Sequence, residues 1–247
     1  MRLRIFPFAL AMTIAPLSLL RAEDPAVPAP RAIDYDWMSV ARWKEMHAAD
    51  VAIAQKGGVD VLFVGDSITE GGEWGEGEHW KRDFVPLATA NFGIGGDTTQ
   101  NLLWRLDNGA VGVLRPKVVV VLIGTNNLGR ENAAAAEVAR GVEAVVRKLR
   151  AAFPAAKIVL HGIFPCDYSP QAEVRQRVKD ANARLARLDG LDGKVVFRDI
   201  GAVFLEPDGS ILPAVSNDGL HLTPEGYRRW AGALAPLVRG LLVGAAQ

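Results

Sequence analysis

Ser67 closes the stretch Val61-Leu62-Phe63-Val64-Gly65-Asp66-Ser67, in which four consecutive apolar residues are ended by a glycine. That is the pattern of a strand buried on both faces. It puts the serine just past the carboxyl end, where open parallel sheets place their ligand crevice. A helix starting there turns its unpaired N–H groups and positive dipole end toward whatever binds. A serine so placed can attack a carbonyl whose oxygen becomes negative in the transition state. The competing reading is that Asp66 and Ser67 merely cap the next helix.

A serine hydroxyl is a poor nucleophile until a base takes its proton. Four histidines could do so: His47, His79, His161 and His221. His47 falls in a helical pattern and His79 in a Gly-rich segment, while the apolar strand around His161 predicts a satisfied core role. His221 ends Ser216-Asn217-Asp218-Gly219-Leu220-His221, a turn-rich segment directly before a helix start. Gly219 lets the chain bend so that the Asp218 carboxylate can accept from one ring nitrogen, leaving the other to face Ser67. D-x-x-H alone also describes a solvent-exposed turn histidine. It gains weight only with Ser67 at a strand end.

Acyl transfer also needs donors for the oxyanion. Gly95-Gly96, after a second strand, lets a backbone N–H approach the reacting carbon unobstructed, and Asn126, after a third, can offer a side-chain amide. One such donor is typically worth about 3–4 kcal/mol in the transition state. Asn126 could instead bond its own turn, and Gly93–Gly96 could be a tight βα turn or a nucleotide site. The nucleotide reading fails, because G-x-G-x-x-G would need glycine where Thr98 stands and no Walker sequence occurs.

These residues need a scaffold. Short apolar runs at Val61–Gly65, Ala88–Phe92, Val118–Ile123, Lys157–Phe164 and Val195–Ile200 predict five strands. Helical spacing predicts helices over Met38–Lys56, Asn132–Ala152, Pro170–Leu188 and Pro224–Leu242, the last with Thr223 as N-cap and Pro224 at its first position. Asp97 resembles an N-cap ahead of Gln100 and Leu102. Trp80 and Phe84, four apart, predict core-facing helix positions. Gly71 to His79 carries so much glycine that it predicts a loop over the crevice. In it Trp74 is a candidate substrate-stacking platform, or else an ordinary loop-packing ring, and Glu73, Glu76 and Glu78 suggest a polar, sugar-compatible rim. Strands alternating with crossover helices argue a parallel sheet covered on both faces, a three-layer α/β/α sandwich.

Composition agrees with one globular domain: 247 residues, 49% hydrophobic and 23% charged. Lys+Arg 28 balances Asp+Glu 28, and with no basic stripe there is no case for nucleic acid. Cys166 is the single cysteine, which excludes an internal disulfide and a cysteine-based zinc site and predicts a buried structural thiol. Arg2 and Arg4 precede an apolar run from Ile5 to Leu20, and Ala22 offers a small-residue cleavage point, the layout of a secretory signal over residues 1–22. The run is broken by Pro7 and Pro16 and is short for a membrane span. An uncleaved anchor is the alternative. Residues 23–31 are Pro- and Ala-rich and predict a flexible lead-in to a domain over 32–247. The expected location is periplasmic or extracellular.

The blocks Gly65-Asp66-Ser67-Ile68-Thr69, Gly93-Ile94-Gly95-Gly96-Asp97, Gly124-Thr125-Asn126-Asn127 and Asp218-Gly219-Leu220-His221 together resemble the four blocks of the SGNH (GDSL-type) hydrolase family. Phe63–Ser67, Asn91–Leu106 and Pro116–Asn127 are especially similar to the catalytic subunits of platelet-activating-factor acetylhydrolase. The resemblance implies a flavodoxin-like fold with a five-stranded parallel sheet in the order 2-1-3-4-5, no cofactor and no metal. It implies Ser67 as nucleophile, His221 as general base and Asp218 as its orienting partner. The oxyanion hole it implies is formed by Ser67 N–H, Gly96 N–H and the Asn126 amide. It also hints at a homodimer. The glycine-rich segment and export signal differ from those subunits, so the phospholipid substrate does not follow. The expected activity is hydrolysis of short acyl esters, most simply acetyl esters, of a carbohydrate or other small alcohol. A lysophospholipase or thioesterase with a longer acyl pocket is the first alternative, and a non-catalytic glycan-binding module the second.

Overall fold

The computed structural model describes residues 24–74 and 78–244, with only the backbone described at Glu73 and Trp74. The expected signal segment, residues 1–22, lies outside them. Helix α1 spans Val40–Lys56, strand β1 Val61–Gly65, α2 Ser67–Trp74, α3 Glu78–Asp83, β2 Thr89–Gly93 and α4 Thr99–Arg105. They are followed by β3 Val118–Leu122, α5 Thr125–Gly129, α6 Ala135–Ala152, β4 Lys157–His161, α7 Glu173–Leu185, β5 Val195–Arg198 and α8 Pro224–Gly244. The five strands form one parallel sheet in the order β2-β1-β3-β4-β5.

Alternation along the strands divides the core in two. Leu62 and Val64 of β1 and Val119 and Val121 of β3 pack with Val138, Val142 and Val145 of α6. Val61, Phe63, Val118 and Val120 face the opposite layer, with Trp80 and Phe84 near α3 and Trp230 and Leu234 of α8. All five residues of β1 and of β3 are buried, which explains why their sequences read as unbroken apolar runs.

Several expectations are corrected. Gly71 and Gly72 are not loop residues, because α2 runs through them to Trp74. A Cβ on Gly71 would lie 2.3 Å from the Tyr227 hydroxyl, and one on Gly72 would lie 3.3 Å from the Trp230 ring. Glycine is there to let α2 approach α8. Asp97 is not an N-cap: Thr98 caps α4 reciprocally with Asn101, and Asp97 is buried in an ion-pair network. The lead-in also docks in part, since Thr99 Oγ1 donates to Pro25 O at 2.7 Å, Ala29 N–H donates to Gln100 O at 3.1 Å and Arg31 is 4% exposed. The α6 and α7 helices begin three residues later than predicted, at Ala135 and Glu173, and Thr125–Gly129 forms a turn of its own. Cys166 is a buried free thiol, its pKa pushed up by burial. Among the described residues, no helix is long and apolar enough to cross a membrane.

Candidate active site

Gly65 and Gly93 sit opposite each other at the carboxyl ends of β1 and β2. A Cβ on Gly65 would lie 2.1 Å from Thr69 Oγ1, and one on Gly93 would lie 2.3 Å from the Glu70 nitrogen. These glycines let the first turn of α2 rest against the strand ends. Asp66 Oδ1 accepts the Ile68 N–H at 3.0 Å and so caps that turn, leaving Ser67 free of the capping role. Burial pushes the Asp66 carboxyl up to about 7, outweighing the hydrogen bond from Ile68.

Ser67 Oγ lies 2.9 Å from His221 Nε2, and His221 Nδ1 lies 2.7 Å from Asp218 Oδ2. Gly219 takes φ +75°, turning the chain back so that Asp218 Oδ1 also accepts the Leu220 and His221 N–H groups at 2.9 and 2.7 Å. Partial burial raises the Asp218 pKa, but the His221 ring and these two N–H donors outweigh it and hold the carboxyl at about 2. An ionised carboxylate fixes the tautomer with hydrogen on Nδ1 and leaves Nε2 able to accept from Ser67.

The N–H groups of Ser67 and Gly96 donate to no described residue. Asn126 Nδ2 gives one hydrogen to Asp97 O at 2.9 Å and retains a second. A cavity of about 470 Å3 meets Ser67, Gly96, Asn126 and His221 on one wall, with Trp37, Met38 and Arg130 among the residues of the rest. The structure thus brings together every motif residue singled out from the sequence except Trp74, whose side chain lies outside the description. The aromatic ring at the cavity is that of Trp37, 54% exposed, stacked on Tyr35 at 5.3 Å between centroids. Arg130 lies over Tyr35 at 4.1 Å from its ring centre. The rim built by these residues is cationic and aromatic.

His161 is confined to the core, accepting from the Trp230 indole at 3.1 Å, and burial lowers its pKa to about 4. His47 is buried, its Nε2 3.0 Å from Asn108 O, and it is not among the residues lining the cavity. Sequence reading missed Arg31, Trp37 and Glu70. Arg31 Nη2 donates to Gly95 O at 2.6 Å and Asp97 Oδ1 at 3.1 Å, while Glu70 Oε2 accepts the Gly95 N–H at 2.6 Å.

A parallel α/β/α sandwich carrying a serine–imidazole–carboxylate chain at its carboxyl edge defines an ester-bond hydrolase. The chain belongs to the GDSL-like lipase/acylhydrolase family, whose model matches residues 63–229. It is 40% identical over 207 residues to human platelet-activating factor acetylhydrolase IB subunit alpha2, covering 81% of this chain and 85% of that protein. In structure it resembles a GDSL-like lipase from Bacteroides thetaiotaomicron, with TM-score 0.66, 22% identity and coverage of 81% and 98% of the two chains. A carbohydrate acetylesterase from Sinorhizobium meliloti shares the fold at TM-score 0.58 and 21% identity, over 74% of this chain and 99% of the other.

Proposed function

We propose that this protein is an exported serine esterase that removes short acyl groups, acetyl above all, from a carbohydrate or other small ester. The observation that carries the reading is the pair of contacts from Ser67 Oγ to His221 Nε2 and from His221 Nδ1 to Asp218, beside two unspent backbone donors. Ser67 Oγ attacks the ester carbonyl while its proton passes to His221 Nε2. The oxyanion is received by the N–H groups of Ser67 and Gly96 and by the Asn126 amide. The imidazolium, held by Asp218, returns the proton to the leaving alcohol. Water activated by the same ring then releases the acyl-enzyme.

The acetyl group is supported by the name of the 40%-identical relative, an acetylhydrolase. The carbohydrate is supported by the exposed Trp37 face, since flat apolar rings are well matched to sugar faces and to other compact alcohols. Export rests on the Arg2/Arg4 and apolar pattern of residues 1–22. The homodimer rests on family likeness, and light scattering of the purified chain tests it.

Purified protein is expected to turn over 4-nitrophenyl acetate, and Ser67→Ala to abolish that turnover; activity surviving the substitution sinks the assignment. Met38, Met46 and Leu220 at the cavity favour a second reading, a longer acyl chain. A chain-length series separates the two, because each buried CH2 adds about 0.8 kcal/mol of binding.

A further inference from the structure

The Gly95–Gly96 peptide is a planar trans unit, as are all the described peptide bonds. Its carbonyl oxygen and the Gly96 N–H point in opposite directions, so whatever fixes one aims the other. Arg31 Nη2 sits on that carbonyl at 2.6 Å. The guanidinium is itself buried and held on several sides. It donates to Asp97 Oδ1 at 3.1 Å, touches Met38 Sδ at 3.1 Å and lies over the Tyr35 and Trp43 rings at 5.1 and 5.7 Å. Asp97 is held in turn by the Trp43 indole at 2.7 Å and Arg105 at 2.6 Å. On the preceding peptide, Glu70 Oε2 accepts the Gly95 N–H. Gly96 adopts φ +75°, and a Cβ there would lie 2.8 Å from Trp37, 3.1 Å from Tyr35 and 3.2 Å from Arg31 Nη2. The segment bearing these residues therefore packs directly against Gly96, which lines the cavity.

We propose that Arg31, outside residues 63–229 matched by the family model, is a positioning residue for ester hydrolysis: with Glu70 it clamps Gly95 so that the Gly96 N–H is aimed at the oxyanion. A cation donating to the carbonyl of a peptide also polarises that peptide's N–H, because hydrogen bonds in a chain strengthen one another. Arg31 touches no substrate. Its effect is felt when charge develops on the oxygen, so it acts on kcat and leaves ground-state binding alone. The inference rests on the proposed serine mechanism.

The test uses the full chain with 4-nitrophenyl acetate, alongside Arg31→Ala, Arg31→Lys and Ser67→Ala. Removing an oxyanion donor costs 10²–10³-fold in kcat, and misaiming one costs less, so Arg31→Ala is expected to lose about 10- to 100-fold in kcat with KM within about 2-fold. Affinity for a trifluoromethyl ketone, which forms a tetrahedral adduct at serine, falls by the same factor, and added guanidinium restores part of the loss. Arg31→Lys, which can reach Gly95 O or Asp97 but lacks the fork to hold both, falls between. If Arg31→Ala does not fold, the lysine variant alone carries the kcat and ketone comparisons. A folded variant with unchanged kcat, a loss confined to KM, or a kcat loss without weaker ketone binding overturns the clamp. Activity surviving in Ser67→Ala instead overturns the serine reading on which it stands.

Discussion

The Tyr227 hydroxyl of α8 donates to the Ile68 carbonyl of α2 at 2.9 Å and occupies the space a Gly71 side chain would fill, 2.3 Å from that residue's Cβ position. In a free helix Gly→Ala stabilises by about 1 kcal/mol. Here the clash reverses the sign, and Gly71→Ala is expected to destabilise by about 1–3 kcal/mol in urea unfolding. Tyr227→Phe alone loses about 1 kcal/mol with its hydrogen bond. Combined, the two substitutions cost less than their sum, because the nearest ring carbon is 3.2 Å from the added methyl once the oxygen is gone. Strict additivity rules out this packing account.

Two buried groups, an acid raised by burial and a base lowered by it, give stability opposing pH slopes. Asp66, pushed up to about 7 by burial, stays protonated in the folded chain while the unfolded chain ionises above about 4. The folded state then binds more protons, so this contribution falls as pH rises from about 4 to 7. His161, lowered to about 4, stays neutral while the unfolded chain gains a proton below about 6.5, so its contribution falls as pH drops from about 6.5 to 4. Each slope is about 1.4 kcal/mol per pH unit, and in the shared window they nearly cancel. Asp66→Asn is expected to expose a rise in urea midpoint with pH between 4 and 6.5. His161→Gln exposes a fall, with ester turnover retained. Parallel curves for wild type and both variants contradict the assignment.

How much of this was legible in the sequence depends on the range of the interaction. Ser67, Gly96 and Asn126 each follow a strand end, and Asp218 and His221 share one turn, so local pattern is enough to single out all five as candidates. Arg31 and Asp97 meet across 66 positions, and no spacing announces that pair. The Pro- and Ala-rich segment around Arg31 reads as lead-in because proline and alanine carry no signal of docking. Gly71 and Gly72 read as loop because glycine is the same letter whether it frees the backbone or admits a neighbouring ring. Trp37 precedes the helix predicted over Met38–Lys56 and belongs to no sequence pattern, yet it is the Tyr35–Trp37 stack that brings an aromatic face to the cavity.

Asp218 does two jobs that a single variant separates. Asp218→Asn keeps the size and one acceptor but loses the charge that sets the His221 tautomer, and kcat for 4-nitrophenyl acetate is expected to fall about 10⁴-fold. The Asp218 carboxyl titrates near 2, below its unfolded value, so its stabilisation is present above about pH 4 and is lost as pH falls toward 2. The variant should lack that acid-sensitive component: its midpoint at pH 7 falls modestly, because the side chain is half-exposed, and the gap to wild type closes as pH falls toward 2. Retained turnover in a folded Asp218→Asn protein removes the orienting role.

Asn126 offers the last separation, between holding the fold and receiving charge. One hydrogen of its Nδ2 is committed to Asp97 O at 2.9 Å, and only the other can serve an oxyanion. Asn126→Ala therefore strips a buried carbonyl of its donor, at about 1–3 kcal/mol of stability, and strips the transition state of another. The second loss is expected to lower kcat 10²–10³-fold with KM nearly unchanged. Asn126→Asp is more informative, because an ionised carboxylate accepts but cannot donate and repels a developing oxyanion. It should lie below the alanine variant in kcat, and the gap between them should narrow as acidity protonates the new carboxyl. If the two variants share one kcat across pH while differing only in urea midpoint, Asn126 braces Asp97 and plays no part in the oxyanion hole.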